Sequence, residues 1–243
     1  MTYCVAVLLD EGLVFASDSR TNAGVDHVSS FRKMRIYEQP GDYVFVILSS
    51  GNLSVTQSAI NALDRRNRDA HALSSCSSML DVAELLSQCL HEVKQRDGPY
   101  LQQGNVEVSA NFIIGGQVRG EQPRLFLLRC EGEILEAQPE SPFFQIGETK
   151  YGKPIIDRVI KSHTPLRDAA KCLLISFDST MRSNVSVGLP IDLCTYRNDS
   201  LRIGLYKRIT EEDPYFRMIH HLWSDGLRQI FAELPDPYLD PAH

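Results

Sequence analysis

The sequence predicts an α+β fold in which two antiparallel sheets are stacked between helix layers, a four-layer αββα sandwich. Short apolar runs bounded by turn residues alternate with longer segments whose apolar residues recur at helical spacing. Their order is a strand block, two helices, a strand block, two helices, a strand pair and a last helix. A sandwich lets each sheet bury one face on the other sheet and one under helices. Periodicity alone does not select it from other arrangements of the same elements.

The first two strands are predicted to form a hairpin. Residues 2–9 are almost continuously apolar, residues 10–12 (Asp-Glu-Gly) have the composition of a tight turn, and residues 13–17 form the returning strand. The hairpin places Thr2 and Asp18 at the same end of the sheet.

The other elements follow from the same two periodicities. A polar loop is expected at residues 21–30. In the second helix the residues of one face are apolar, namely Val82, Leu85, Leu86, Cys89, Leu90 and Val93. Further strands are predicted at residues 33–37, 43–50, 109–118, 124–130, 133–137, 188–196 and 201–208. Helices are predicted at residues 53–66, 79–96, 151–161, 166–180 and 213–234.

The composition indicates one globular domain over residues 1–243. The chain is 43% hydrophobic, and no Ser/Gly/Pro-rich stretch divides it; residues 235–243 are proline-rich and expected to be extended. Because the net charge is -6 and both signs are interspersed, nucleic acid is not expected as a partner. No apolar run approaches the roughly 20 residues of a membrane helix, and no signal segment is recognised, so a cytoplasmic protein without a membrane partner is expected.

Cysteines and histidines give no indication of a metal site or a cofactor. The six cysteines are scattered without a C-x-x-C pair, which predicts reduced and mostly buried thiols. The seven histidines form no H-x-x-x-H pattern, and the adjacent His220 and His221 would point about 100° apart on a helix.

Thr2 is the most informative residue, because it follows the initiator Met1 and opens an apolar strand. Removal of Met1 would leave a hydroxyl and a free α-amine on one residue. A threonine hydroxyl is a weak nucleophile near neutral pH, but an α-amine with a pKa of about 8 can serve as its base. Asp18 and Lys33 could tune that pair. For Thr2 alone, an ordinary polar residue at a strand start is the simpler interpretation.

Several segments together resemble the proteasome β-subunit and HslV group of N-terminal nucleophile hydrolases, and most closely its bacterial homologue Anbu. They follow in the family's order over most of the chain, with a threonine-to-aspartate spacing like that of proteasome β-subunits. The segments are residues 2–20, 32–34 (Arg-Lys-Met), 48–52 (Leu-Ser-Ser-Gly-Asn), 144–148 (Phe-Gln-Ile-Gly-Glu) and 176–180 (Ser-Phe-Asp-Ser-Thr).

The resemblance implies catalytic roles for five residues. Thr2 would be the nucleophile and its α-amine the general base, Asp18 and Lys33 the tuning charge pair, and the Gly51 N–H the oxyanion donor. The family's second aspartate would be Asp178. The segment between Asp18 and Lys33 is one residue shorter than in typical β-subunits, which leaves a neighbouring position as an alternative to Lys33. The adjacent cation is Arg32, but a guanidinium cannot exchange protons as a lysine can.

The resemblance also implies a substrate pocket and a polar network around the amine. Glu148 stands where the family usually has a serine, and the serine expected after the second aspartate is displaced, so that several serines remain candidates. The network candidates are Glu148, Ser179, Ser183 and Ser186. The substrate-binding candidates are Arg20, Thr21, Phe31, Arg35 and Ser49, of which Arg35 indicates an acidic or polar substrate side chain.

The function predicted is that of a threonine peptidase acting on peptides or unfolded proteins. The resemblance further implies a homo-oligomer, either a ring or a spiral; an ATP-dependent unfoldase is left unknown. Two alternatives remain open, a small-molecule amidohydrolase with the same nucleophile and a catalytically silent assembly subunit that keeps Met1.

Overall fold

The computed structural model describes residues 2–22 and 28–237, except for the side chains of residues 21, 22, 28 and 29. Their helices are α1 (Leu53–Ala70), α2 (Met79–Gln103), α3 (Lys153–Val159), α4 (Leu166–Ser183) and α5 (Pro214–Glu233). Their strands are β1 (Tyr3–Leu9), β2 (Gly12–Asp18), β3 (Arg20–Asn22), β4 (Val28–Ser30), β5 (Met34–Gln39), β6 (Tyr43–Gly51), β7 (Ala110–Val118), β8 (Arg124–Leu128), β9 (Ile134–Glu136), β10 (Phe143–Gly147), β11 (Ile191–Arg197) and β12 (Ile203–Ile209).

Two five-stranded antiparallel sheets form the centre of the fold. The first sheet has the order β10-β1-β2-β11-β12, and the second has the order β5-β6-β7-β8-β9. Buried residues of α1 and α2 pack on the second sheet, and residues of α3, α4 and α5 pack on the first. A third cluster fills the space between the sheets. The predicted four-layer αββα fold is therefore confirmed.

Alternation along the central strands explains their continuous apolar sequences. In β1, Tyr3 and Val5 face the helix layer, whereas Cys4 and Ala6 face the opposite sheet. In β6 the same alternation separates the residues facing α1 and α2 from those facing the first sheet. Because both faces are covered, neither strand shows the polar positions of a half-exposed strand.

The helices begin and end at recognisable caps. Asn52 caps α1, since its side-chain oxygen accepts from the amides of Ser54 and Val55. Ser78 and Asp81 form a capping box at the start of α2. The predicted end of α2 near residue 96 was too early, because the helix accommodates Pro99 and continues to Gln103.

Three further predictions about elements were wrong. The expected loop at residues 21–30 contains paired residues of β3 and β4, while residues 23–27 lie outside the described part. Strand β10 was missed because it is a short edge strand with mostly half-buried residues, which leaves little alternation to read. The strand predicted from residue 188 begins at Ile191, since Gly188 instead packs beneath the Arg20 guanidinium.

No helix within the described ranges is both long enough and apolar enough to cross a bilayer. Within the same ranges, no group of three or more His, Cys, Asp or Glu side chains is placed to hold a metal ion.

Candidate active site

Thr2 immediately precedes β1 and is held by the ends of the two neighbouring strands. On one side, the amide of Glu148 donates to the Thr2 carbonyl at 2.6 Å. On the other side, the amide of Tyr3 donates to Asp18 Oδ1 at 3.0 Å. Gly147 has a φ of +86°, and a Cβ there would overlap the Thr2 carbonyl. The close approach of β10 to Thr2 thus depends on a glycine.

Asp18 and Lys33 form a buried ion pair directly behind Thr2. Lys33 Nζ lies 2.7 Å from Asp18 Oδ1, and the two side chains are 5% and 0% exposed. Lys33 Nζ also donates to the Arg20 carbonyl at 2.7 Å. These two contacts use two of its three ammonium protons, and the third has no acceptor among the described residues.

Two opposing effects act on the pKa of the Asp18 carboxyl. Burial raises its pKa above the ordinary aspartate value, whereas the Lys33 charge and the hydrogen bonds from Lys33 and Tyr3 oppose that rise. Asp18 Oδ2 and Ser17 Oγ are buried without a hydrogen-bond partner in the described part of the chain. Lys33 is therefore the principal compensation for a desolvated carboxylate.

Gly51 supplies a backbone N–H aimed toward the Lys33 segment. Along β6, the Ser49 amide donates to the Lys33 carbonyl at 3.0 Å, and amides two residues apart in a strand point the same way. The Asn52 amide points to the other side and donates to the Ser109 carbonyl. Gly51 itself has a φ of +110°, and a Cβ there would overlap that same carbonyl. The geometry suits an oxyanion donor.

A cleft of about 330 Å³ adjoins the site through Ser49, whose amide contacts the Lys33 carbonyl. It is lined by Phe31, Arg32, Arg35, Ser49, Thr56, Gln57, Ile60 and Asn61. Three of the predicted substrate-binding residues, Phe31, Arg35 and Ser49, are thus brought together. Arg35 lies 3.3 Å from Asp64, a half-exposed carboxylate that also accepts from Tyr37. Asp64 was not anticipated from the sequence.

Arg20 is not among the described residues that line this cleft. The Arg20 guanidinium donates to the Val185 carbonyl at 2.7 Å and packs over Gly188. Its contribution near Lys33 is the backbone carbonyl described above. Thr21 belongs to β3 by its backbone, and its side chain lies outside the described part, as does Met1.

Asp178 lies in α4 and is 4% exposed. Its Oδ1 is 2.6 Å from His220 Nδ1 on α5. The hydrogen bond found for Asp178 is therefore made with the last helix, α5, rather than with Thr2. Ser179 is half-buried and Ser183 is exposed at the end of α4.

A pair of polar residues lies beside Thr2, formed by the network candidate Glu148 and by Asn184, which was not anticipated from the sequence. Asn184, the residue that ends α4, donates from Nδ2 to Glu148 Oε2 at 2.9 Å. Its Oδ1 accepts from the Ser186 amide at 2.9 Å. The available sequence signal was weak, namely a polar residue at a helix C-terminus.

Two stacked antiparallel sheets between helix layers, with Thr2 at the end of a central strand, define the fold class of the N-terminal nucleophile hydrolases. No family model matches the chain, and no curated protein matches it either. Solved structures do. The Gly-1 mutant of Anbu from Hyphomicrobium sp. strain MC1 is 45% identical, with a TM-score of 0.92, over 98% of this chain and 100% of that one.

Two further structures agree. Anbu from Yersinia bercovieri, described as an ancestral β-subunit, is 50% identical with a TM-score of 0.91, over 98% of this chain and 100% of that one. A helical assembly of the Anbu complex from Pseudomonas aeruginosa contains a chain that is 45% identical with a TM-score of 0.91, with 98% of each chain covered. The chain belongs to the Anbu family, as its resemblance predicted.

Proposed function

We propose that this protein is a proteasome-type threonine peptidase in which Thr2 becomes the N-terminal nucleophile after Met1 is removed. The observation that carries the proposal is the buried Lys33–Asp18 pair, whose shared Oδ1 also accepts from the amide of Tyr3. Burying an ion pair costs free energy unless hydrogen bonds compensate for the lost hydration. Buried charges placed next to the residue that carries the hydroxyl and the α-nitrogen, Thr2, are typical of a catalytic site.

The proposed reaction is acyl transfer followed by hydrolysis. Thr2 Oγ attacks the substrate carbonyl, and its proton passes through a water to the α-amine. The Gly51 N–H stabilises the oxyanion, and the Lys33 ammonium favours both the neutral amine and the developing alkoxide. The C–N bond then breaks, the leaving amine takes the proton from the α-ammonium, and a water hydrolyses the Thr2 ester.

The substrate is proposed to be a peptide or unfolded protein with an acidic or polar side chain beside the scissile bond. Arg32 and Arg35 both line the cleft next to Ser49, and among the described residues Asp64 pairs with Arg35 while no carboxylate pairs with Arg32. An Arg35→Glu variant should therefore lose hydrolysis of peptides with Glu at that position and retain hydrolysis of matched peptides with Gln.

A homo-oligomer in the cytoplasm is proposed as the working form. The exposed side of α5 carries apolar residues at helical spacing, an arrangement that favours burial against another copy. They are Tyr215, Met218, Leu222, Leu227, Ile230 and Phe231. The Pseudomonas aeruginosa relative forms a helical assembly, which favours an open spiral over a closed ring.

The test combines an intact mass with a covalent probe. The mature chain is expected to lack the mass of Met1 and to form one adduct with a peptide epoxyketone, located on Thr2. Thr2→Ala should abolish both adduct and peptide hydrolysis, while Thr210→Ala, at an exposed threonine, should leave both unchanged. Retention of Met1 would instead indicate the assembly subunit, and hydrolysis of small amides but not peptides would indicate the amidohydrolase.

A further inference from the structure

The end of the β1–β10 ladder brings the backbone of Glu148 next to Thr2. The ladder ends where Tyr3 pairs with Gly147, and Thr2 and Glu148 are the next residues of the two segments. The Glu148 amide donates to the Thr2 carbonyl at 2.6 Å, so this carbonyl points to the β10 side. In an extended residue the N–H and C=O point to the same side of the strand. An extended Thr2 therefore presents its nitrogen on the β10 side.

The opposite side of β1 carries the Lys33–Asp18 pair. The amide of Tyr3, one residue further along, donates to Asp18 Oδ1. Successive backbone groups of a strand point to opposite sides. The Lys33–Asp18 pair therefore lies on the β2 side of β1, and Glu148 lies on the β10 side. The α-amine of a processed Thr2 would lie between an ammonium and a second carboxylate.

The side chain of Glu148 is held by the end of α4. Asn184 Nδ2 donates to Glu148 Oε2, and Asn184 Oδ1 accepts from the Ser186 amide, each at 2.9 Å. The backbone of Asn184 is also fixed, because its amide donates to the Thr180 carbonyl at 2.8 Å. Glu148 and Asn184 are both half-buried, so water is partly excluded from this pair.

We propose that Glu148, anchored by Asn184, positions the α-amine of Thr2 and stabilises its protonated form during catalysis. The inference rests on the proposed function. The proton that leaves Thr2 Oγ makes the amine an ammonium, and the Glu148 carboxylate faces that new positive charge until the proton passes to the leaving amine. Lys33 favours the neutral amine and Glu148 favours the ammonium, so the pKa of the amine is set by their balance.

The test is Glu148→Gln, which removes the charge but keeps an oxygen that can accept from Asn184. The acidic limb of the pH profile of kcat/KM should move to lower pH by about one pH unit, with KM unchanged. Asn184→Ala should move it by less and lower kcat. Glu140→Gln makes the same charge change at an exposed residue before β10, and its profile should match the parent protein.

A second readout does not depend on turnover. The rate at which an amine reagent acylates the α-amine of Thr2, followed by mass spectrometry across pH, reports the pKa of that amine directly. Glu148→Gln should shift this titration in the same direction as the kinetic profile. Titrations of Glu148→Gln and the parent protein that overlay would overturn the inference.

The two proposals fail differently. If Thr2→Ala abolishes activity but Glu148→Gln leaves both titrations unchanged, only the role of Glu148 is lost. If Met1 is retained, or if Thr2→Ala remains active, the threonine mechanism is lost and the role of Glu148 with it.

Discussion

Replacing Lys33 by methionine tests whether Asp18 is ionised in the folded protein. The substitution keeps an apolar stem of similar length and removes the ammonium that lies 2.7 Å from a carboxylate with no solvent exposure. At that separation and an effective dielectric constant of about 20, the attraction is about 6 kcal/mol. Part of it offsets the desolvation of both groups, so breaking the pair from one side should cost about 3–5 kcal/mol of unfolding free energy.

The cost should depend on pH in a defined direction. Without Lys33, the pKa of Asp18 rises further, because burial still raises it and the opposing charge is gone. A carboxyl whose folded pKa exceeds its unfolded value of about 3.9 is least destabilising below that value, and stability is lost as the pH rises through the folded pKa. The loss in Lys33→Met should therefore be small near pH 4 and full near pH 8, in round terms.

Urea unfolding at fixed protein concentration, at both pH values, measures the effect. Lys171→Met is the matched control, since its pair with Asp168 has a similar separation of 3.0 Å but side chains 51% and 36% exposed; its removal should cost less than about 1 kcal/mol. The double variant Asp18→Asn with Lys33→Met should recover part of the lost stability. A Lys33→Met protein no less stable than the control at high pH would refute the reasoning.

Three further predictions concern other parts of the molecule. Gly51→Ala forces a Cβ against the Ser109 carbonyl and should lower kcat by about 100-fold through the displaced N–H; a native kcat would exclude the oxyanion role. Burial raises the thiol pKa of Cys172 and of Cys194 to about 12, so neither should react with iodoacetamide at pH 8 until the protein is unfolded, and peptide mapping showing native-state labelling would contradict this. Phe231, 77% exposed on α5, is expected in a contact between copies, so Phe231→Asp should reduce the mass measured by light scattering; an unchanged mass would remove α5 from the interface.

Much of the fold could be predicted because its central strands are buried on both faces. The run in β1 is apolar throughout and that in β6 is apolar up to Leu48, and the amphipathic helices α2 and α4 show their spacing clearly. Elements at the edge of the structure were harder. Among the strands of the described part, β10 pairs with β1 alone, and its half-buried residues carry no alternating pattern.

The site was only partly predictable, for a similar reason. Asp18 and Lys33 stand near the ends of strands whose order could be read along the chain, and the resemblance named both. Asn184 meets Glu148 across 36 residues, and Asp64 meets Arg35 across 29, through side chains on elements that sequence periodicity does not orient relative to each other.

The sequence by itself determined the strand and helix order and the position of Thr2 behind Met1, because apolar periodicity and chain position are local properties. The tertiary structure decided which groups surround Thr2. It placed Lys33 against Asp18 on one side of β1 and Glu148 with Asn184 on the other, because sheet register and helix packing fix distances between residues far apart in the chain.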